Sequence, residues 1–190
     1  MPAERRPGMD HDHYAWSPIS TRTPLRWPSG DTLAVCVLLS LDHMEWEPPD
    51  GSFQAHNLAG GLGRRPALDY GRLTHREYGH RVGIFRVLDV LAKHGIPVNI
   101  AVDTLTVQHY PWLIEHCLER GVQFVAHGQS ISRMITSRMS EAQERDYIEG
   151  SLDALTSATG TRPKGWFGPE YGESLRTPAL LADAGLSHVF

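Results

Sequence analysis

Apolar and polar positions follow two rhythms along this chain. The run "TLAVCVLLSL" (32–41) is β-branched and apolar at both parities, the pattern of a strand covered on both faces as in a parallel sheet. From 75 to 95, "HREYGHRVGIFRVLDVLAKHG" places Val82, Phe85, Leu88 and Leu91 on one helical face, with Gly95 as the stop. "IPVNIAVD" (96–103) is a second strand, and "YPWLIEHCLERG" (110–121) a helix with Pro near its first turn and Gly at its end. "VQFVAHG" (122–128) is a third strand; Ser140 with Glu141 and Glu144 then opens a helix through "RDYIEGSLDALTSATG" in the manner of a capping box. "PKGWFGPEYG" (163–172) is a short fourth strand running into a turn, "TPALLADAG" (177–185) a last helix, and "LSHVF" the opening of a fifth strand.

Strand and helix in alternation predict parallel strands joined by right-handed helical crossovers, an α/β sheet or (β/α) barrel. Residues 1–30, with Pro at 2, 7, 18, 24 and 28, read as an irregular arm, and 31–190 as one domain. A Gly-rich connection from about Phe53 to Thr74 is long enough to be a lid or binding loop. With 190 residues, 41% of them hydrophobic, the chain supports one sizeable core and not two. The net charge of -4, with Lys and Arg scattered apart from Arg64 and Arg65, lacks the basic stripe that nucleic acid or anionic lipid requires, so neither is an expected partner. Cys36 and Cys117 fall in apolar settings, which suits reduced thiols; with no leader-like apolar segment in "MPAERRPGMDHDHYAWSP", a cytoplasmic location is expected.

In parallel α/β folds ligands bind beyond the carboxyl ends of the strands. The first strand ends in Asp42 and His43, the second in Asp103, the third in His127, and the fourth runs into Glu170 and Tyr171. Each could be a turn former or cap, but acid-base groups at four consecutive strand ends point to a shared mouth into which Asp42 is aimed. Asp103, in "DTLT", reads as a helix N-cap. Glu45 and Glu47 are either solvated loop charges or ligand contacts, while His109 and His116 read as helical surface. His11 and His13 lie in the arm, and Gly79 and Gly83, four residues apart, suggest close helix packing. "LAGGLGRRP" lacks the order of a phosphate loop, and neither cysteine has a nearby His to make it a nucleophile.

Three stretches in order, "LSLDH" (39–43), "FVAHGQSIS" (124–132) and "WFGPEYG" (166–172), resemble the polysaccharide deacetylase, or NodB-homology, superfamily. "HMEWEPPDG", "HREYGHRVGIFR", "AHGQSISRMITSRMSEAQE" and "GPEYGESLRTPALLADAGL" are similar to its allantoinase-type branch. The resemblance implies a distorted barrel of about seven strands that hydrolyses non-peptide C–N bonds, usually with a divalent metal held by one Asp and two His. Against that pattern the metal carboxylate is replaced by His43, the second motif histidine by Ile131, and the Arg expected before Pro169 by Gly168. The cation that should lie beside Asp42 is then missing. The matched branch is metal-independent, so no metal is expected, although Asp42, His43, His127 and Glu170 are all competent donors for a rearranged zinc or other divalent site.

The resulting expectation is hydrolysis of a cyclic amide or ureide such as allantoin, a small-molecule substrate, with Asp42 as general base. His127, if protonated, or a strand-end backbone N–H would stabilise the oxyanion; Glu170 would hold His127 charged or bind ureido N–H groups. His43 and Glu45 would contact substrate, and Trp46, Trp166 and Tyr171 would flank a flat ring. One alternative is a metal-dependent N-deacetylase of polysaccharide or chitooligosaccharide. The other starts from "LSHVF", beyond which the superfamily's last motifs should follow. That ending suggests a barrel incomplete at the C-terminus, hence a truncated sequence, an inactive remnant, or a homo-oligomer that pairs its open edge.

Overall fold

The computed structural model describes residues 15–52 and 70–190. His11, His13 and most of the connection expected as a lid lie outside the described residues. The chain divides into two compact units, residues 1–35 and 36–190. The described part of the first is irregular: a 3-10 turn at Ile19–Thr21 and a tight turn in which Gly30 N–H donates to the Trp27 carbonyl at 2.8 Å.

The second unit is built on an all-parallel sheet of β1 (Leu38–Leu41), β2 (Asn99–Val102), β3 (Gln123–Ala126), β4 (Gly165–Trp166) and β5 (His188–Val189), paired in that order. The expected α/β class holds, and among the described residues the five strands form one sheet with β1 and β5 outermost. Leu41, Val102, Ala126 and Trp166 pair in one row across four strands. All four are buried in the core, so the next residues, Asp42, Asp103, His127 and Phe167, emerge side by side at the carboxyl end. A shift of one residue in any strand would break that row.

The first apolar run pairs over only its last four residues, and Leu33, Val35 and Cys36 are exposed rather than strand-buried. Pro97 has no N–H to give, so the ladder to β2 begins with Asn99 N–H on the Val37 carbonyl at 3.0 Å. Cys117 alone is buried, and burial pushes its thiol up to about 11.

Helix formation starts earlier than periodicity indicated. Residues 70–74, expected in the loop, open α1 (Tyr70–Tyr78), which passes through a π turn (Gly79–Gly83) into α2 (Ile84–Lys93). The two glycines do not serve close packing: a Cβ at Gly79 would meet nothing within 4 Å, and one at Gly83 only the Tyr78 carbonyl at 3.9 Å. Their place is in the π turn. Buried Arg72, His80, Ile84 and Leu88, with Arg76 between the first two, recur every four residues. Such a row drifts by about 40° per step on a regular helix, and the wider turn takes up the drift.

The helix expected over 110–121 is α4 (Pro111–Glu119); ahead of it stands a short α3 (Thr104–His109), capped by Asp103, and Tyr110, next to Pro111, leaves helical geometry between the two. In α5 (Glu141–Thr159) the capping box is closed by Gln143, while Glu144 is fully buried under Ser174, Arg176 and Thr177 at the start of α6 (Thr177–Asp183). Among the described residues no helix is long and apolar enough to cross a membrane.

Candidate active site

Asp42 stands at the carboxyl end of β1 with its side chain 15% exposed. Arg76 Nε donates to Oδ1 at 2.9 Å and Ser40 Oγ to Oδ2 at 3.0 Å. His127 Nε2 lies 3.9 Å from Oδ2. Arg76 also reaches toward Glu170, whose Oε1 is 3.6 Å from Nη2 and accepts from Arg72 Nη2 at 3.2 Å. Two carboxylates and two guanidiniums thus form one nearly desolvated cluster, in which opposite charges stabilise each other far better than on a surface. The missing cation is present after all, carried by α1 instead of the turn before Pro169.

His127 is 2% exposed and its ring lies flat on Phe167, with centroids 4.9 Å apart. Its Nδ1 is 2.5 Å from the Phe167 carbonyl, which can only accept, so Nδ1 carries the proton and Nε2 turns a lone pair toward Asp42. Burial lowers its pKa below the ordinary histidine value, with Asp42 working the other way, so the ring is neutral at neutral pH. Gly128 follows at φ 70°, where a Cβ would sit 2.4 Å from the Tyr147 hydroxyl, so no other residue fits this turn. Glu170 and Tyr171 hold successive positive φ values of 50° and 59°, a strained turn that directs the carboxylate to the arginines.

The remaining candidates divide. Tyr171 is 69% exposed at the mouth, edge-on to Phe167. Trp46 is 43% exposed, with Nε1 donating to Glu77 at 3.2 Å and its ring tilted over Tyr70. Trp166 is fully buried in the core and cannot flank a ligand; the aromatic beside the site is its neighbour, Phe167. Glu45 is held by both ends of Arg133, at 2.9 and 2.5 Å, and by Ser130 Oγ at 2.9 Å. Burial raises its pKa, but those hydrogen bonds outweigh it and hold the carboxyl below its usual value. His43 turns its ring away onto His109, centroids 4.8 Å apart, and burial with the neighbouring histidines lowers its pKa. Asp103 is the expected cap, accepting from Thr106 N–H at 2.7 Å, and it also holds His43 N–H at 2.6 Å. Burial pushes its pKa well up.

Arg72, Arg76, His80 and Phe167 were not among the expected site residues. His80 is 5% exposed and stacked at 8° on Tyr110, and burial lowers its pKa. The signal for Arg72, Arg76 and His80 was their four-residue spacing on one helix.

These groups do not fit a catalytic metal. Both Asp42 oxygens are engaged, the His43 ring is turned away, Glu170 is paired with Arg72, and Ile131 brings no lone pair. Among the described residues no three His, Cys, Asp or Glu are grouped to hold an ion, where a catalytic site needs three ligands and an open position.

A parallel α/β sheet with a solvent-reached carboxylate and a buried imidazole at its carboxyl end sets acid-base groups where such folds bind their ligands. Residues 77–189 match the polysaccharide deacetylase family, and the chain belongs to it. A Mycobacterium smegmatis protein provisionally assigned as a polysaccharide deacetylase is 27% identical, with a TM-score of 0.67 over 87% of this chain and 53% of that one. The Puue allantoinase is 23% identical, with a TM-score of 0.71 over 86% and 55%. A Pseudomonas aeruginosa PAO1 protein with a similar provisional assignment is 23% identical, with a TM-score of 0.64 over 80% and 51%. The chain therefore spans about half the length of these solved structures. Comparison with curated proteins finds no match.

Proposed function

We propose that the protein hydrolyses a non-peptide C–N bond of a cyclic amide or ureide such as allantoin, with Asp42 as general base and no metal. The observation that carries this reading is the approach of Asp42 to within 3.9 Å of His127 Nε2 at a water-accessible mouth. Asp42 takes a proton from water as the water oxygen attacks the carbonyl carbon. Collapse of the tetrahedral species breaks the C–N bond, and the proton passes to the leaving nitrogen, directly or through the Nε2 lone pair of His127. Because Nδ1–H is committed to the Phe167 carbonyl and burial keeps the ring neutral, His127 serves here as a proton acceptor rather than an oxyanion donor. Glu170 Oε2, unpartnered among the described residues, suits a ureide N–H. The fold match to an allantoinase agrees with this choice of bond.

A second reading, deacetylation of an N-acetylated sugar, is favoured by the exposed aromatic faces of Trp46 and Tyr171, on which a sugar ring could stack. Turnover of allantoin and of N-acetylated chitooligosaccharides separates the two. In either case Asp42→Asn should lower kcat by about 10²- to 10⁴-fold. Full activity in that variant would remove Asp42 from the chemistry.

A further inference from the structure

Hydrolysis by the route above builds negative charge on the carbonyl oxygen, and the site must supply a donor for it. The obvious donors are occupied. His127 gives its one proton to Phe167 O at 2.5 Å, and its Nε2 has a lone pair to offer and no hydrogen. Strand-end backbone N–H groups are also taken: His43 by Asp103 at 2.6 Å, His127 by Val102 at 3.1 Å, Phe167 by Ala126 at 2.9 Å and Tyr171 by Gly168 at 3.0 Å.

One cation lies directly against the base. Arg76 spends its Nε–H on Asp42 at 2.9 Å, and Nη2 is 3.6 Å from Glu170, beyond hydrogen-bond reach. Nη1 has no partner among the described residues, and the side chain keeps 21% of its surface open. Arg72, by contrast, is 8% exposed and directed at Glu170. We infer that Arg76 is a catalytic residue, the electrophile whose free guanidinium N–H groups stabilise the oxyanion formed as Asp42 activates water. The inference rests on the hydrolase reading.

In this step the water oxygen bonds to the carbonyl carbon, the carbonyl π pair moves to oxygen, and the released proton goes to Asp42. Arg76 donates hydrogen bonds throughout and transfers no proton. Collapse returns the electron pair, breaks the C–N bond and sends the proton to nitrogen. The guanidinium thus provides positive charge at a place where the donor set does not fit a metal ion, and its planar fork lets it hold the base and meet the oxyanion together.

Two arms test this. In the kinetic arm, Arg76→Met should lower kcat by about 10²- to 10³-fold with KM changed less than about threefold, and added guanidinium chloride should restore part of the loss. Arg76→Lys should keep more activity than Arg76→Met. Wild-type kcat in Arg76→Met, or a loss that neither guanidinium nor Lys relieves, overturns the assignment. The second arm needs no turnover: Asp42→Asn removes the anion resting on Arg76, so calorimetry should find inorganic phosphate bound about tenfold more tightly than by wild type. Asp42→Asn with Arg76→Met should lose that gain. Equal phosphate affinity in the single and double variants overturns the assignment. A wild-type protein inert on every amide counts against the hydrolase reading, and the phosphate arm then decides whether Arg76 presents an anion-binding face.

Discussion

The placement of Asp42 and His127 side by side was legible because each ends an apolar run, and neighbouring strands of a parallel sheet bring their ends to one edge. Trp166 shows the limit of that reasoning. It lies one position before the row of strand-end residues, and the two-residue periodicity of a strand sends it into the core. Glu45 was open between solvent and ligand, and the structure adds an internal ion pair that could not be read locally, because its partners Ser130 and Arg133 lie 85 and 88 residues away in sequence. Its role is to tie the segment after β1 to the one after β3. Glu45→Gln should cost about 1 kcal/mol of stability in chemical denaturation while leaving kcat within about twofold. A stable but inactive Glu45→Gln protein would assign Glu45 to the site itself.

At the scale of elements, α1 with its π turn carries the part of the site that periodicity concealed. Apolar spacing alone marks Val82 to Leu91 as the inner face and treats the polar residues before it as solvent-facing. The buried row instead runs from Leu88 and Ile84 through His80, Arg76 and Arg72, because the mouth it meets is lined with carboxylates rather than methyl groups. Deleting Gly79 would remove the extra residue of the π turn and rotate everything before it by about 100° relative to α2. Circular dichroism should then show the helix content retained, while turnover falls by about 10²-fold or more as Arg76 leaves Asp42. Unchanged turnover in the deletion would mean that the register of α1 does not matter to the site. Asp103 illustrates the opposite case, a cap readable from "DTLT" whose second task, holding His43 N–H, depends on the register between β1 and β2.

For the whole molecule, the α/β class followed from the alternation of runs, and so did the start of α4 at Pro111, whereas the length of β1 did not, because Pro97 gives no N–H to extend the ladder beside it. Charge distribution gives a pH signature. His43, His80 and His127 all have pKa values lowered by burial, so the unfolded chain binds more protons than the folded one just below the ordinary histidine pKa of about 6.5. Their contribution is complete above that value and is lost as pH falls toward the folded pKa values. Asp103, raised by burial, acts in the opposite sense from about 3.8 upward. His80→Phe keeps a ring on Tyr110 and removes one buried imidazole, so the drop in denaturation midpoint between pH 8 and pH 5.5 should shrink relative to wild type. An equal or larger drop would show that His80 is not held neutral in the fold.

Turnover of a cyclic ureide after exhaustive dialysis against a strong chelator bears most directly on the claim that Asp42 acts without a metal. The expected result is a kcat equal to that of the untreated protein, with no gain on adding zinc. Loss of activity on dialysis, restored by zinc, would contradict it.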